Sequence, residues 1–529
     1  MSTSLFTLKT VEHFLLKSYG IIGAFAGLLA IYLLTINVIL VLQPYPLEYR
    51  EGAILMSTAK FASGGNPFSW ENQPTYLNVY GILHSVLLAP VCILFPGQIA
   101  EVHRTASMLL MLGACALVAW ILVRRGTSPI LAVGAGLVYY GQLLHTFLPV
   151  ARPDSLGLFL FLVSVLGPIA SNFSWASLVV SAVAALLAWI TKPYFALGGM
   201  VIGLYTLLAV NWRAGFLYCI SSALAAAGIG IFLNRFFEAY FYDVLLVNAG
   251  SGLSRSLPHL GFQVVKFFVI NAPLITLCVV LILSSRKFRT HPLASDRTVA
   301  MPSAAAAQGL MPGLRHLDPV TFQLLASCAA LYVLAQNVGS AEYFFHLLTP
   351  FFLIKAVMFV GRKSFPFLAL FVLLCQACVY APRFPKDYSS QWADLTMRLS
   401  AETRILSGPP TVKFALDNGR SIYDSGQTEY FKFGLKYDSA LAATAKARWN
   451  TFIASLRQHL QEASFSLVVT TADTPSLIHR QLIGICYQRQ ETVPAPMYYS
   501  RSVALELWRP KPGGCDNPPP DASDTGQIN

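Results

Sequence analysis

With 529 residues, 55% of them hydrophobic and only 12% charged, the chain falls well short of the roughly one-quarter charged content of globular proteins. That balance excludes an ordinary soluble enzyme. The formal charge of +12 does not indicate a nucleic-acid binder either, because Lys and Arg gather in short loops between apolar runs, where they orient a membrane protein.

Apolar runs of about 18–25 residues, the length of a bilayer-crossing helix, recur from residue 19 to residue 381. The first, 19–43, has no small-residue cleavage site and reads as a retained span. Further spans are predicted over 105–123, 128–148, 155–171, 175–191, 194–211, 214–234, 262–284, 319–339, 343–361 and 364–381. The predicted fold is an all-α polytopic membrane protein of about eleven spans, with a small C-terminal α/β extracytoplasmic domain.

The run 79–95 is apolar enough to be a twelfth span, and the basic loops decide its placement. If it lies along the membrane surface, they all fall on the side of Lys9 and Lys17: Arg124 and Arg125, Arg213, the 286–315 loop, and Arg362 with Lys363. If it crosses, only the N-terminal lysines remain inside. The positive-inside rule favours the first arrangement. Residues 44–104 then form one large outer loop. The breakers Gly64-Gly65-Asn66-Pro67 and Gln73-Pro74 divide it into short helices near 50–63 and 76–95, with Trp70, Tyr76 and Tyr80 at interfacial depth.

From about residue 382 the composition turns polar. A helix over 441–462 and strands over 465–470 and 502–508 predict the small α/β domain, bounded at 382–509 and placed outside. The Pro/Gly/Asp-rich stretch 510–529 is expected to be disordered. Seven of the nine cysteines lie in apolar runs and act as small hydrophobes. The other two, Cys486 and Cys515, lie in the polar tail, where an oxidising compartment permits a disulfide.

With this topology a set of charges meets at the outer face. Glu48, Arg50 and Glu51 follow the first span, and Arg104 opens the second. Arg152 and Asp154 open the fourth, Lys192 closes the fifth, and Glu342, Tyr343 and His346 open the tenth. Taken singly, Arg104 and Lys192 also fit cations snorkelling to headgroups. Asp154 alone fits a first-turn helix charge, and His346 a satisfied buried histidine. Glu48 and Glu51, three apart, share one face if their segment is helical. Glycosyl transfer from a polyprenyl-phosphate sugar uses the whole set: a carboxylate to deprotonate an acceptor hydroxyl, cations for the phosphate leaving group, and an apolar bundle for the lipid tail.

The order of these motifs carries a resemblance. Glu48-Tyr-Arg-Glu51-Gly52, the Gly-Gly-Asn-Pro turn, Gln73-Pro-Thr-Tyr76-Leu-Asn-Val-Tyr80-Gly81, Arg104, Arg152-Pro-Asp154 and Thr191-Lys192-Pro resemble, over about residues 19–360, the GT-C superfamily of integral-membrane glycosyltransferases. The similar branch is the bacterial one related to protein mannosyltransferases and the lipid A aminoarabinose transferase. The resemblance implies inverting transfer at the periplasmic face of the bacterial inner membrane. The donor would be a polyprenyl-phosphate sugar and the acceptor a hydroxyl of a glycan, lipid or protein.

It also implies a catalytic base in the first outer loop, which by position falls on Glu51, with Glu48 as second choice. Asp154 is the remaining catalytic candidate, placed for sugar or acceptor hydroxyls. Arg50, Arg104, Arg152 and Lys192 are the donor-phosphate candidates, and Tyr76, Tyr80, Glu342, Tyr343 and His346 the other substrate-binding ones. Arg50 stands where many members carry the first acid of an Asp-Glu pair, so a divalent metal, open to the family, is not supported by the sequence, and no other cofactor is indicated. A transporter or lipid flippase is the alternative. It fits less well, since transporters keep their ionisable groups near the bilayer midplane, often between related halves, and no internal repeat is visible here.

Overall fold

The computed structural model describes residues 10–13, 19–146, 149–251, 257–285, 309–311, 314, 316–334, 347–361, 366–406, 411–471, 480–498 and 501–515. The chain leaves its first helix, α1 (Tyr19–Val41), for two short helices, α2 (Glu51–Ala62) and α3 (Leu83–Leu94). It then forms α4 (Ile99–Arg124), α5 (Pro129–Thr146), α6 (Asp154–Ala170), α7 (Trp175–Thr191), α8 (Leu197–Tyr205) and α9 (Trp212–Phe236). After the short α10 (Val247–Ser251) come α11 (Leu257–Ile270), α12 (Ala272–Ser285), α13 (Pro319–Leu334), α14 (Thr349–Gly361) and α15 (Pro366–Tyr380).

Burial shapes this bundle. Leu33 of α1, Val118 of α4, Leu143 of α5, Phe161 of α6, Phe351 of α14 and Leu373 of α15 share one core. The opposite face of α1 leaves Ile21, Leu28 and Ile31 exposed, as expected of a helix that is apolar all round and meets lipid.

Each predicted run holds a helix among the described residues, several of them shorter than a full bilayer crossing. Four helices are both apolar and at least 18 residues long, or up to five if the bent pair α11–α12 is one span. That pair replaces the single span expected over 262–284. It bends by 72° at Asn271-Ala272-Pro273, where the proline has no N–H to give to the preceding turn. The Asn271 side chain donates to Phe267 O and its Oδ1 accepts from Tyr380 Oη, so the bend is stitched to α15.

Helix α3 is 12 residues long with Pro90 inside it, about 18 Å against a hydrocarbon core of about 30 Å. It is too short to span, and Leu87, Ile93 and Leu94 on it are exposed.

The C-terminal part adds α16 (Ser389–Ser400), β1 (Ile405–Leu406), α17 (Val412–Asp417), α18 (Ala440–Gln461), β2 (Leu467–Thr471), α19 (Arg480–Cys486), β3 (Tyr487–Tyr498) and β4 (Arg501–Pro510). The sheet runs β1-β2-β4-β3, with β1 parallel to β2 and the other pairs antiparallel. Strand β3 was not expected, because Pro494, Pro496 and the charges at Arg489 and Glu491 hide its alternation. It lies at the sheet edge, where proline is tolerated.

One sheet face joins Trp392 and Leu395 of α16 to Tyr45, Leu47 and the last turns of α1, so the sheet is seated on the turn that follows α1. Its other face packs against Leu456 and Leu460 of α18. Cys486 and Cys515 are joined in a disulfide. Of the stretch expected to be disordered, residues 516–529 lie outside the described residues.

Candidate active site

The segment that follows α1 is anchored by one buried ion pair. Glu51 opens α2 and is 1% exposed, and Arg104 on α4 is wholly buried. Arg104 Nε and Nη2 reach the two Glu51 oxygens at 3.1 and 2.8 Å. Backbone N–H groups of Leu47 and Ala151 donate to the same carboxylate, each at 2.8 Å. Two further Arg104 donors go to the carbonyls of Gln43 (2.7 Å) and Tyr45 (2.8 Å). Burial alone would raise the Glu51 pKa, but Arg104 and the two N–H groups outweigh it and hold the carboxyl below its ordinary value.

This geometry bears on two expectations. Glu51 has no free face for an acceptor hydroxyl, and the wholly buried Arg104 turns four of its five N–H groups to Glu51 and the backbone, away from any phosphate. Together they fasten the 43–51 turn to α4 and to residue 151.

Beside this anchor lies a second, more open group. Glu48 pairs with Arg50 at 3.4 Å and accepts its backbone N–H at 3.0 Å. Asp154 pairs with Arg152 at 3.1 Å and with Lys192 at 2.8 Å. The Tyr80 ring lies 5.6 Å from the Arg152 guanidinium and 5.0 Å from the Lys192 ammonium, close enough for its π face to hold both cations. Burial pushes the Glu48 carboxyl above its ordinary value, with Arg152 and Arg50 pulling it back.

Local sequence explains the placement. Pro153 precedes Asp154 at the start of α6, which sets the acid at the positive end of a helix. Lys192 takes an extended conformation as the C-cap of α7, as a residue before proline must. Gly81 donates to Thr191 O at 3.0 Å, and a methyl at Gly81 would collide with the Ile190 carbonyl. The missing side chain lets the 76–82 strap lie flat on the end of α7 and delivers Tyr80 to the cations.

Sequence reasoning thus brings Glu48, Arg50, Arg152, Asp154, Lys192 and Tyr80 together. Tyr76 stands elsewhere, its ring 5.1 Å from the Lys60 ammonium toward the far end of α2. Glu342, Tyr343 and His346 lie outside the described residues.

Three tyrosines were missed. Tyr49 accepts from Arg50 Nε, and Tyr194 faces Lys192 at 5.1 Å. Tyr430, from the C-terminal part, meets Tyr49 hydroxyl to hydroxyl at 3.0 Å. Tyr49 and Tyr194 adjoin charged motif residues and were findable, whereas Tyr430 carries no local signal. A buried chain, His84 Nε2 to His103 Nδ1 at 3.0 Å and His103 Nε2 to Thr58 Oγ1 at 2.9 Å, braces α3, α4 and α2 behind the cluster. Among the described residues no three His, Cys, Asp or Glu side chains gather in a metal-binding group.

No protein-family model and no curated protein matches the chain. Two solved structures do. The structure of ArnT from Cupriavidus metallidurans bound to undecaprenyl phosphate superposes with a TM-score of 0.55 at 12% identity, covering 90% of this chain and 97% of that one. The apo state of the same protein gives 0.56 at 11% identity, covering 93% and 98%. At that identity the likeness is one of fold, and the chain has the ArnT architecture, the one its GT-C resemblance led us to expect, over nine-tenths of its length.

Proposed function

We propose that this protein is an integral-membrane glycosyltransferase that moves a sugar from a polyprenyl-phosphate donor to an acceptor hydroxyl. The observation that carries the reading is the open cluster of Arg50, Arg152 and Lys192 around Glu48, Asp154 and Tyr80. It stands in a fold whose C. metallidurans counterpart is bound to undecaprenyl phosphate. Three cations against two carboxylates leave one positive charge for a phosphate diester.

In this reading Arg152 and Lys192 hold the donor phosphate, and Asp154 keeps both aimed. Glu48, rather than Glu51, is the base. It takes the proton of the acceptor hydroxyl as that oxygen bonds to the anomeric carbon. The bond from that carbon to the phosphate oxygen breaks, and the polyprenyl phosphate leaves as a monoester whose added charge falls on the cations. A single displacement inverts the anomeric configuration.

The protein is placed in the bacterial inner membrane as a multi-pass chain. The cluster and the 382–509 domain face the periplasm, and 1–381 is the membrane domain. The acceptor is a hydroxyl of a glycan, lipid or protein of the cell envelope.

The test supplies the purified protein with polyprenyl-phosphate sugars and cell-envelope extract and follows release of polyprenyl phosphate. Wild type should release it and Glu48→Gln should not. A wild-type protein that binds but never consumes donor is a carrier rather than a transferase. Sidedness is read separately with an impermeant thiol reagent on single cysteines in a cysteine-free background. Glu71→Cys and Ser400→Cys should label from outside and Ser128→Cys should not; the reverse pattern removes the periplasmic site.

A further inference from the structure

The C-terminal part reaches the cluster through one short stretch. Residues Thr428–Gly434 form a 3-10 turn fixed at both ends to the first outer loop and its neighbours. Just before it, Gln427 Oε1 accepts from Val79 N at 3.1 Å. Within it, Phe431 O accepts from Tyr242 Oη at 2.6 Å, and the buried Phe431 ring stacks on Trp449. Just after it, Lys436 Nζ donates to Gly250 O.

From this base Tyr430 Oη meets Tyr49 Oη at 3.0 Å, and Tyr49 Oη in turn accepts from Arg50 Nε. The Arg50 Nε–H is therefore shared between Glu48 of its own loop, 3.4 Å away, and a two-tyrosine link to a residue 381 positions from Tyr49. A free arginine samples many rotamers. Fixing it before a ligand arrives removes that ordering cost from binding.

We propose that Tyr430 is a positioning residue for the anionic headgroup of the donor: through Tyr49 it holds the Arg50 guanidinium ready for a lipid-linked phosphate. This rests on the reading of the cluster as the donor site. It makes the C-terminal part a component of that site. Tyr430 need not touch the substrate, since its effect passes through Arg50.

The experiment is titration of the full-length protein in lipid nanodiscs with undecaprenyl phosphate, for wild type, Tyr430→Phe, Arg50→Ala and the double variant. Phenylalanine keeps the ring and its 5.6 Å contact with Phe433, so only the hydroxyl is lost. Tyr430→Phe should weaken binding about fivefold, the scale of one hydrogen bond between neutral groups. In the Arg50→Ala background it should add nothing, because the two losses act through one contact.

Wild-type affinity in Tyr430→Phe, or effects that multiply in the double variant, overturns the proposal. Tyr49→Phe reads the same link from its other end and should behave like Tyr430→Phe; should Tyr430→Phe fail to fold, it decides the matter alone. Wild-type protein that binds no undecaprenyl phosphate overturns the transferase reading along with this one. It is told apart by the absence of any signal for the variants to change.

Discussion

Glu51 and Arg104 stand 53 positions apart and spend every strong contact on each other and on four backbone groups, at Gln43, Tyr45, Leu47 and Ala151. A carboxylate this enclosed holds a fold together; Glu48, three residues upstream, is partly exposed and bonded only within its own turn.

Substitution separates the two acids. Glu51→Gln leaves a buried guanidinium without its counter-charge, a loss of about 3–5 kcal/mol, and should lower the yield and melting temperature of the protein. Glu48→Gln should leave both unchanged and stop turnover. Normal stability with lost activity in Glu51→Gln would return the base to that position.

Glu48 also sets a direction for pH. Its carboxyl is pushed up by burial, and a base works only when ionised. Turnover should therefore fall on acidification at a pH above the usual glutamate range. A Glu48→Asp variant that keeps activity should keep an acidic limb; an unchanged limb in an active Glu48→Gln variant would show that another group titrates.

The cations predict a binding loss. Arg152→Ala and Lys192→Ala should each weaken undecaprenyl-phosphate affinity about tenfold or more, as expected for charge-assisted contacts. Isothermal titration in nanodiscs measures this. Unchanged affinity in either variant would return that residue to headgroup snorkelling.

Gly81→Ala should behave like the loss of Tyr80. The added methyl cannot fit against the Ile190 carbonyl, so the strap must lift from α7 and withdraw the ring from Arg152 and Lys192. Donor affinity should fall in parallel in Gly81→Ala and Tyr80→Ala, measured by the same titration.

Asp424 links stability to pH. Burial raises its carboxyl from 3.8 to about 7, and it accepts from Gly426 N at 2.8 Å in the turn whose Ser425 carbonyl meets Gly52. The folded state therefore holds a proton that the unfolded chain has already released. Stability from this group is full below about pH 4 and declines as pH rises toward 7, by on the order of 4 kcal/mol in total. Asp424→Asn should remove that decline, read as a melting temperature less dependent on pH between 4 and 7.

The positions of the helices were legible because each burial pattern is written in consecutive residues. So were Arg152, Asp154 and Lys192, which proline marks at helix ends. The partition of work between Glu48 and Glu51 was not. It depends on Arg104 arriving from another helix and on an N–H from residue 151, and neither leaves a trace near residue 51. The bend at Asn271 was hidden because the apolar run continues through it, and β3 because prolines and charges broke its period. Tyr430 could be found only once the C-terminal part had been folded back onto the first loop.

The short helix α3 has one more consequence. Its exposed leucines and isoleucine lie on the same stretch of polypeptide that runs back through Gly81 to Tyr80. Under the proposed reading, a helix lying in the interface ties the height of Tyr80 to the lipid surface. Donor affinity should then differ between nanodiscs of thin and thick bilayers, and an affinity independent of thickness would sever that link.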